Sequence, residues 1–432
     1  MPEPAAQLRR VVGLPGAVAL GLGSILGTGV FVSLLFVTDL AGPASPLCIA
    51  AAALLATCNG LSSAQLAAAH PVSGGSYEYG YRYLNPALGF TAGWMFLAAK
   101  SASAATAALG FAVYLQQFLP VVASIDTRII AVLTIVVLTA LVLAGLKRSV
   151  RVNTLLVLIS LAGLAIVCFV ALAESSASDS AGLASSIGGS AKPSSLLQAT
   201  ALCFVAYTGY GRVATMGEEI RDPARNIPIA VIATLAVTLA VYIAVGFAIL
   251  TLRPGGEMMP GLTPSTATAT LTQLVEATTL RHLAPLVTVG AAAAMLGVLL
   301  NLILGLSRVA LAMARRSDLP RPLSYLTKSD ASPRNAILFV AAIVLSLSLI
   351  GDVKTTWSLS AFTVLIYYAT ANLCALRQPP EERRFPRAIS LLGLIACLSL
   401  SAFVAPTAWQ TGLALIAIGL LWHKLARRVS QP

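Results

Sequence analysis

Residues 21–31 read GLGSILGTGVF and lie near the middle of a long apolar run. Gly21, Gly23, Gly27 and Gly29 are spaced by two or four, with Ser24 and Thr28 between them. Each glycine in a helix interior costs roughly 0.5–1 kcal/mol relative to alanine, so the run has a weak point at its centre. Where a helix breaks, the freed amides of its second half favour an anion and the carbonyl end of its first half favours a cation. Hydrocarbon tolerates such a break only where protein buries it or a water-filled cavity meets it. Glycines four apart also serve close helix contact, and that is the competing use.

A second interrupted run, CFVAYTGYGRVATMGEEIRDPARNIP (203–228), carries Gly209 and Gly211. Glycine-broken hydrophobic segments at corresponding positions of two halves point to a solute site at the membrane midplane. Phe204, Tyr207 and Tyr210 can wall it or simply pack. Lys100 lies fourteen residues after Pro86, roughly 21 Å along a helix and too deep for easy snorkelling. A lysine at that depth costs about 2.5–3.5 kcal/mol on insertion scales, which makes it a functional candidate; a structural lysine bonded to carbonyls is the other reading. Ser103 and Thr106 extend its polar face. Arg212 follows the second break and can attract an anion, lock to an acid or snorkel. Asn301 is a candidate to line the pathway. All 16 carboxylates fall at span ends or in loops, so no relay through a midplane acid is expected. Glu218, Glu219 and Arg221 form a solvated mouth or a gate paired with Arg225 or Arg82.

Apolar helices must position these groups. The 432 residues are 57% hydrophobic and 10% charged, with mean hydropathy +0.86, whereas a soluble chain carries about a quarter charged residues. Runs near 20 apolar residues mark spans. Twelve are expected, at 12–39, 46–69, 87–118, 128–146, 152–174, 194–217, 227–252, 284–313, 335–351, 355–376, 387–405 and 407–424. The chain reads as an all-α, multi-pass protein of the cell membrane. The first span is too long for a cleaved signal peptide. With both termini cytoplasmic, 21 of the 28 Lys and Arg residues face the cytoplasm, against Arg128, Lys192, Arg253, Arg281 and Lys354 outside. That bias sets orientation, and it explains the net charge of +12 without a nucleic-acid partner. The six cysteines sit in apolar runs and the three histidines are far apart, so neither metal nor cofactor is expected, and nothing resembles an enzyme's nucleophile–base cluster. Residues 174–193 read as a flexible outer loop, and 253–285 as a surface helix or lid. Asp222-Pro223 and Pro228 are expected to stop the sixth span and restart the seventh.

GSILGTGVF, AQLAAAHPVSGGSYEYGYRYLNPALGFTAGW (64–94), YTGYG with EEIRDPARNIP, and SRVALAMARRSDLP (307–320) occur in that order. On these motifs the chain resembles the amino acid–polyamine–organocation superfamily, permeases with a LeuT-type fold. The resemblance implies an inverted repeat of five plus five helices and two accessory ones. The parts would be a cytoplasmic N-terminus 1–11, repeats 12–174 and 194–376 joined by an outer loop 175–193, a cytoplasmic loop 377–386, accessory helices 387–424 and a cytoplasmic tail 425–432. It further implies a substrate carboxylate at the amides of Gly27, Thr28 and Gly29 beside Ile25, and a substrate ammonium at the carbonyls of Val205, Ala206 and Thr208, with Tyr207 and Gly209 in the same segment. Several family members carry a lysine in the fifth span where relatives bind sodium; the matching position here is Ser160. Hydroxyls for sodium are also missing from residues 294–305. Lys100 is therefore expected to supply the missing cation and to titrate, with Ser103, Ser160, Tyr210, Arg212 and Asn301 as coupling or gating positions. The implied activity is secondary transport of neutral or small amino acids by proton symport or exchange. A polyamine or cationic amino-acid carrier, or a non-transporting sensor, is the alternative.

Overall fold

Cap chemistry decides where the apolar runs begin. The structure, a computed structural model, describes residues 8–175, 192–253, 270–327, 332–350, 353–404 and 406–430. The first run gives α1 (Leu14–Ile25), a π-helical turn (Gly29–Ser33) and α2 (Leu34–Ala41). Then come α3 (Ser45–Ala69), α4 (Ser76–Tyr83), α5 (Pro86–Phe118), α6 (Thr127–Leu143) and α7 (Leu146–Glu174). The later half holds α8 (Pro193–Tyr207), α9 (Gly211–Thr215), α10 (Pro223–Leu252), α11 (Leu271–Glu276), α12 (Ala284–Arg315), α13 (Arg334–Ile350), α14 (Val353–Arg377), α15 (Arg387–Ser401) and α16 (Pro406–Ser430). Pro86 opens α5 behind Asn85, whose side chain accepts the Leu88 amide at 2.8 Å. Proline at a first helical position gives up only an amide that had no partner there.

The protein is an all-α membrane protein. Seven described helical stretches are long and apolar enough to cross a bilayer, or eight if α15 and α16 form one bent span. The shorter α6 and α13, of 17 residues each, and the divided sixth run stand in the other expected places. Leu133, Val136 and Val137 on α6, and Leu155, Leu158, Phe169 and Leu172 on α7, are exposed. Such apolar rows suit lipid. At the centre α5 and α12 pack together, with α14 against α5 and α7 against α12.

Three local features depart from expectation. The seventh span starts at Pro223, so Pro228 lies inside α10. The carbonyl that Pro228 cannot bond, that of Ala224, accepts the Arg384 guanidinium at 2.8 Å instead. That substitution removes the main penalty of an interior proline. After the turn at Gly74 and Gly75, α4 forms an unforeseen amphipathic helix, which packs on α5. In the segment expected as a lid, α11 is fixed by a Thr270/Gln273 capping box and buries Leu271, Leu274 and Val275, so its described part is packed in rather than lying on the surface. Residues 176–191 and 254–269, the bulk of the loop and lid expectations, lie outside the described residues, as do residues 1–7.

Candidate functional site

The first run breaks where its glycines place the weak point. α1 ends at Ile25, Leu26 and Gly27 leave the helix, and the chain resumes through Thr28 into the π-turn. Close contact operates at the same residues. A Cβ on Gly27 would stand 2.2 Å from Val298 Cγ2, and one on Gly29 would stand 2.8 Å from Ala206 Cβ.

The second run is not unravelled as expected. It tightens into a 3-10 turn at Thr208–Tyr210 and continues as α9. The carbonyls a full break would free are already bonded. Val205 O accepts the Thr208 hydroxyl at 2.7 Å, Ala206 O accepts Tyr242 Oη at 3.0 Å, and Thr208 O accepts Tyr368 Oη at 2.9 Å. The Tyr242 hydroxyl also reaches Ile25 O at 3.1 Å, so one side chain of α10 ties the first break to the end of α8. Val205 O accepts the Thr208 amide as well, so both of its lone pairs are engaged.

A cavity of about 20 Å³ lies between the breaks, room for about one water. Ile25, Thr28, Gly29, Val205, Ala206 and Thr208 line it together with Lys100 and Ser103. Ser24, Val298 and Leu302 complete the wall. Lys100 is 5% exposed and donates to Thr208 Oγ1 at 2.6 Å. The Thr208 hydroxyl in turn donates to Val205 O, so Lys100, the hydroxyl and the end of α8 form one hydrogen-bonded chain. Ser103 Oγ meets Ser360 Oγ of α14 at 2.8 Å. Thr106 turns back to Ala102 O.

The remaining expected residues stand behind this wall. Gly27 and Gly209 are contact points, and the rings of Tyr207 and Tyr210 pack at a tilt on Tyr242 and Tyr368, with centroids 4.7 and 5.2 Å apart. Ser160 is buried, and its hydroxyl has no partner among the described residues. Asn153, two turns earlier on the same face of α7, is the residue that bridges helices there. It donates to Ala19 O of α1 at 2.7 Å and accepts from Asn301 of α12 at 2.5 Å. Gly23 makes room for the pair, since a Cβ there would stand 2.0 Å from Asn153 Oδ1. Asn153 escaped the sequence reading, although an asparagine facing a second asparagine across apolar spans is a usable signal. Tyr242 and Tyr368 carried no such signal.

Gly209 is the tightest point between the two runs, with a Cβ there 2.4 Å from the Ser24 carbonyl carbon and oxygen. Backbone cannot step aside as a flexible side chain can. Gly209→Ala is therefore expected to cost about 3 kcal/mol, the upper part of the overpacking range. Thermal unfolding of the detergent-purified variant checks this, and a melting temperature equal to wild type would refute so close a contact.

One end of the bundle is rich in basic residues and is tied shut by them. Glu219 takes the Arg308 guanidinium on both oxygens, at 2.6 and 3.1 Å, and both side chains are buried. Glu218 pairs with Arg315 at 2.8 Å and also accepts the amides of Leu8 and Ser73. Glu78 is gripped by Arg316, and Asp318 by His423 and the hydroxyls of Tyr77 and Tyr81. The partners of Glu218 and Glu219 thus come from α12 rather than from Arg225 or Arg82; Arg82 pairs with Glu382. Burial alone would raise the Glu218 carboxyl, but the Arg315 charge and these hydrogen bonds hold it below the usual carboxylate range. Its stabilising contribution is therefore complete above the ordinary carboxylate pKa and fades as pH falls through the lowered value. Leading residues join the closure, as the Val11 and Val12 amides bond Glu219 O at 3.0 Å. At the opposite end Arg253 meets Asp39 at 2.9 Å.

Broken and tightened helices round a small polar cavity, tied at both ends of the bundle, have the architecture of a membrane carrier. The chain belongs to the amino acid permease family, whose profile matches residues 16–428. An uncharacterised transporter of Mycobacterium tuberculosis is 40% identical over 427 residues, covering 98% of this chain and 93% of that protein. A methylthioribose transporter of Bacillus subtilis is 26% identical, covering 95% and 91% respectively. A branched-chain amino acid permease of the same species is 25% identical, covering 90% and 84%. The protein is a transporter of the cell membrane and not an enzyme.

Proposed function

We propose that this permease is a secondary active carrier of neutral or small amino acids, working by alternating access with proton symport or exchange. One observation carries the reading: the amide end of the first break, the Val205–Thr208 turn and Lys100 all line a single cavity. The substrate carboxylate would sit at Thr28 and Gly29, and its ammonium at the carbonyls of Val205, Ala206 and Thr208, where it would replace hydrogen bonds now made to them. In this reading the basic end is cytoplasmic, with both termini on it, and twelve spans form two inverted five-helix repeats and an accessory pair. The cavity holds about one water, so an amino acid enters only when one end opens. The ion pairs at the basic end would then be closing contacts that part in each cycle.

Lys100 is the proposed coupling group. It has Thr208 Oγ1 as its one acceptor among the described residues, which leaves its other protons to the cavity. A cation there opposes a dicationic substrate, which counts against a polyamine carrier. The Asn153–Asn301 pair fills the junction of α1, α7 and α12, which favours protons or exchange over sodium. Counterflow in proteoliposomes tests the reading, using a panel of radiolabelled amino acids with methylthioribose as a further arm. Neutral amino acids are expected to exchange, and an imposed proton gradient, but not a sodium gradient, is expected to drive uptake. Absence of counterflow for every amino acid would overturn the proposal.

A further inference from the structure

Arg212 is 4% exposed, and only its Nη1 finds a partner, Thr215 Oγ1 at 3.3 Å. Among the described residues its Nε and Nη2 have no hydrogen-bond acceptor. A buried guanidinium left this way is costly, because its lost hydration is not replaced. The two unpartnered atoms are one edge of the fork. Arg308 uses that same edge, Nε with Nη2, to grip Glu219, and Arg316 uses it to grip Glu78. Two neighbours in this protein thus show what the free edge of Arg212 matches, a planar carboxylate bound through two parallel hydrogen bonds.

No carboxylate among the described residues hydrogen-bonds to that edge. Glu219 and Arg308 are the charges that act on Arg212, and Glu219 turns both oxygens to Arg308 instead. The buried cluster therefore holds two guanidinium groups for one carboxylate. Position adds direction. Arg212 lies one helical turn beyond Thr208, which lines the central cavity, and its side chain crosses α12 at Gly305, whose Cβ would stand 3.1 Å from Arg212 Cδ. Leu302, one turn before Gly305, also lines the cavity, and Arg308 follows one turn after. Beyond Arg308 a second cavity of about 400 Å³ opens at the basic end, lined in part by Arg9, Lys147 and Arg148. Lys100, Arg212, Arg308 and this basic mouth form a stepped row of cations, with Glu219 the one carboxylate among them.

We propose that Arg212 is a carboxylate-binding site between the central cavity and the basic end, which takes the acid end of a solute as it passes between them. The permease reading supplies only the identity of the traveller; the site itself is tested without transport. Detergent-purified protein is melted in 100 mM sodium acetate or in 100 mM acetamide, a neutral molecule of nearly the same shape, at equal ionic strength. Acetate is expected to raise the wild-type melting temperature by about 3 °C over acetamide. The difference should fall below about 1 °C in Arg212→Met and persist in Lys100→Met. Without acetate, Arg212→Met should melt no lower than wild type, because an apolar side chain replaces an unsatisfied charge. An acetate increment in Arg212→Met equal to that of wild type would overturn the proposal, as would no increment in wild type. A large loss of stability in Arg212→Met under both conditions would make Arg212 a structural residue and would also overturn it. A failed counterflow panel with a positive acetate result would refute the permease reading and leave the site standing.

Discussion

Lys100→Met should lower amino-acid counterflow about 100-fold and flatten its dependence on pH. The size follows from the bond it removes: a hydrogen bond to a charged group is worth about 1.5–3 kcal/mol, a factor of roughly 10 to 150. Lys100 donates to Thr208 Oγ1 at 2.6 Å, and Thr208 in turn bonds Val205 O. The lysine therefore joins α5 to the turn of the second run and places a positive charge in the cavity. Thr208→Val keeps that charge and removes its acceptor, so it should fall between wild type and Lys100→Met. Lys100→Arg should not restore the rate, because a planar guanidinium needs more room than a cavity of about 20 Å³ provides. Initial rates in proteoliposomes across pH 5 to about 8, the range over which such proteins are ordinarily stable, make the comparison. An unchanged rate with an unchanged pH profile in Lys100→Met would remove Lys100 from the coupling step.

What the sequence reveals depends on whether a feature is local. The break at Leu26–Gly27 is written in closely spaced glycines, and Lys100 stands out because a charge so far from either helix end is costly in an apolar run. Glycine spacing could not separate a break from a close contact, because both need a missing Cβ. Gly27 and Gly209 serve as contacts at the margins of the cavity they were expected to line. The tightened turn at Thr208–Tyr210 was likewise hidden. It is held by hydroxyls of Tyr242 and Tyr368, which come from α10 and α14 and share no motif with it. Charge pairing was the least legible layer. Glu218 and Glu219 were visible as acids at a mouth, yet their partners lie 97 and 89 residues away on α12, where only tertiary packing chooses among many arginines.

The same charge layer holds the second large effect. Arg308→Met is expected to destabilise the protein by about 3–5 kcal/mol, the cost of stranding one member of a buried pair. Glu219 would keep a charge in a site where its side chain is 3% exposed, where Arg212 makes no hydrogen bond to it, and where the Val11 and Val12 amides are on its own carbonyl rather than on its carboxylate. Glu219→Leu combined with Arg308→Met should recover most of that loss, since an apolar pair of similar volume is often neutral or stabilising in place of buried ions. A double-mutant cycle on thermal unfolding measures this directly, and the coupling is expected to exceed about 2 kcal/mol. Glu218→Gln is the internal contrast. Its side chain and that of its partner Arg315 are 12% and 21% exposed, and a glutamine oxygen can still accept an amide from Leu8 or Ser73, so that variant should lose less stability than Arg308→Met. If the double variant regains stability but exchanges amino acids slowly, the Glu219–Arg308 pair acts in the transport cycle rather than in the fold. Additive losses in the cycle would instead mean that the two side chains stabilise the closed end independently, and the bidentate contact would then carry no coupling energy of its own.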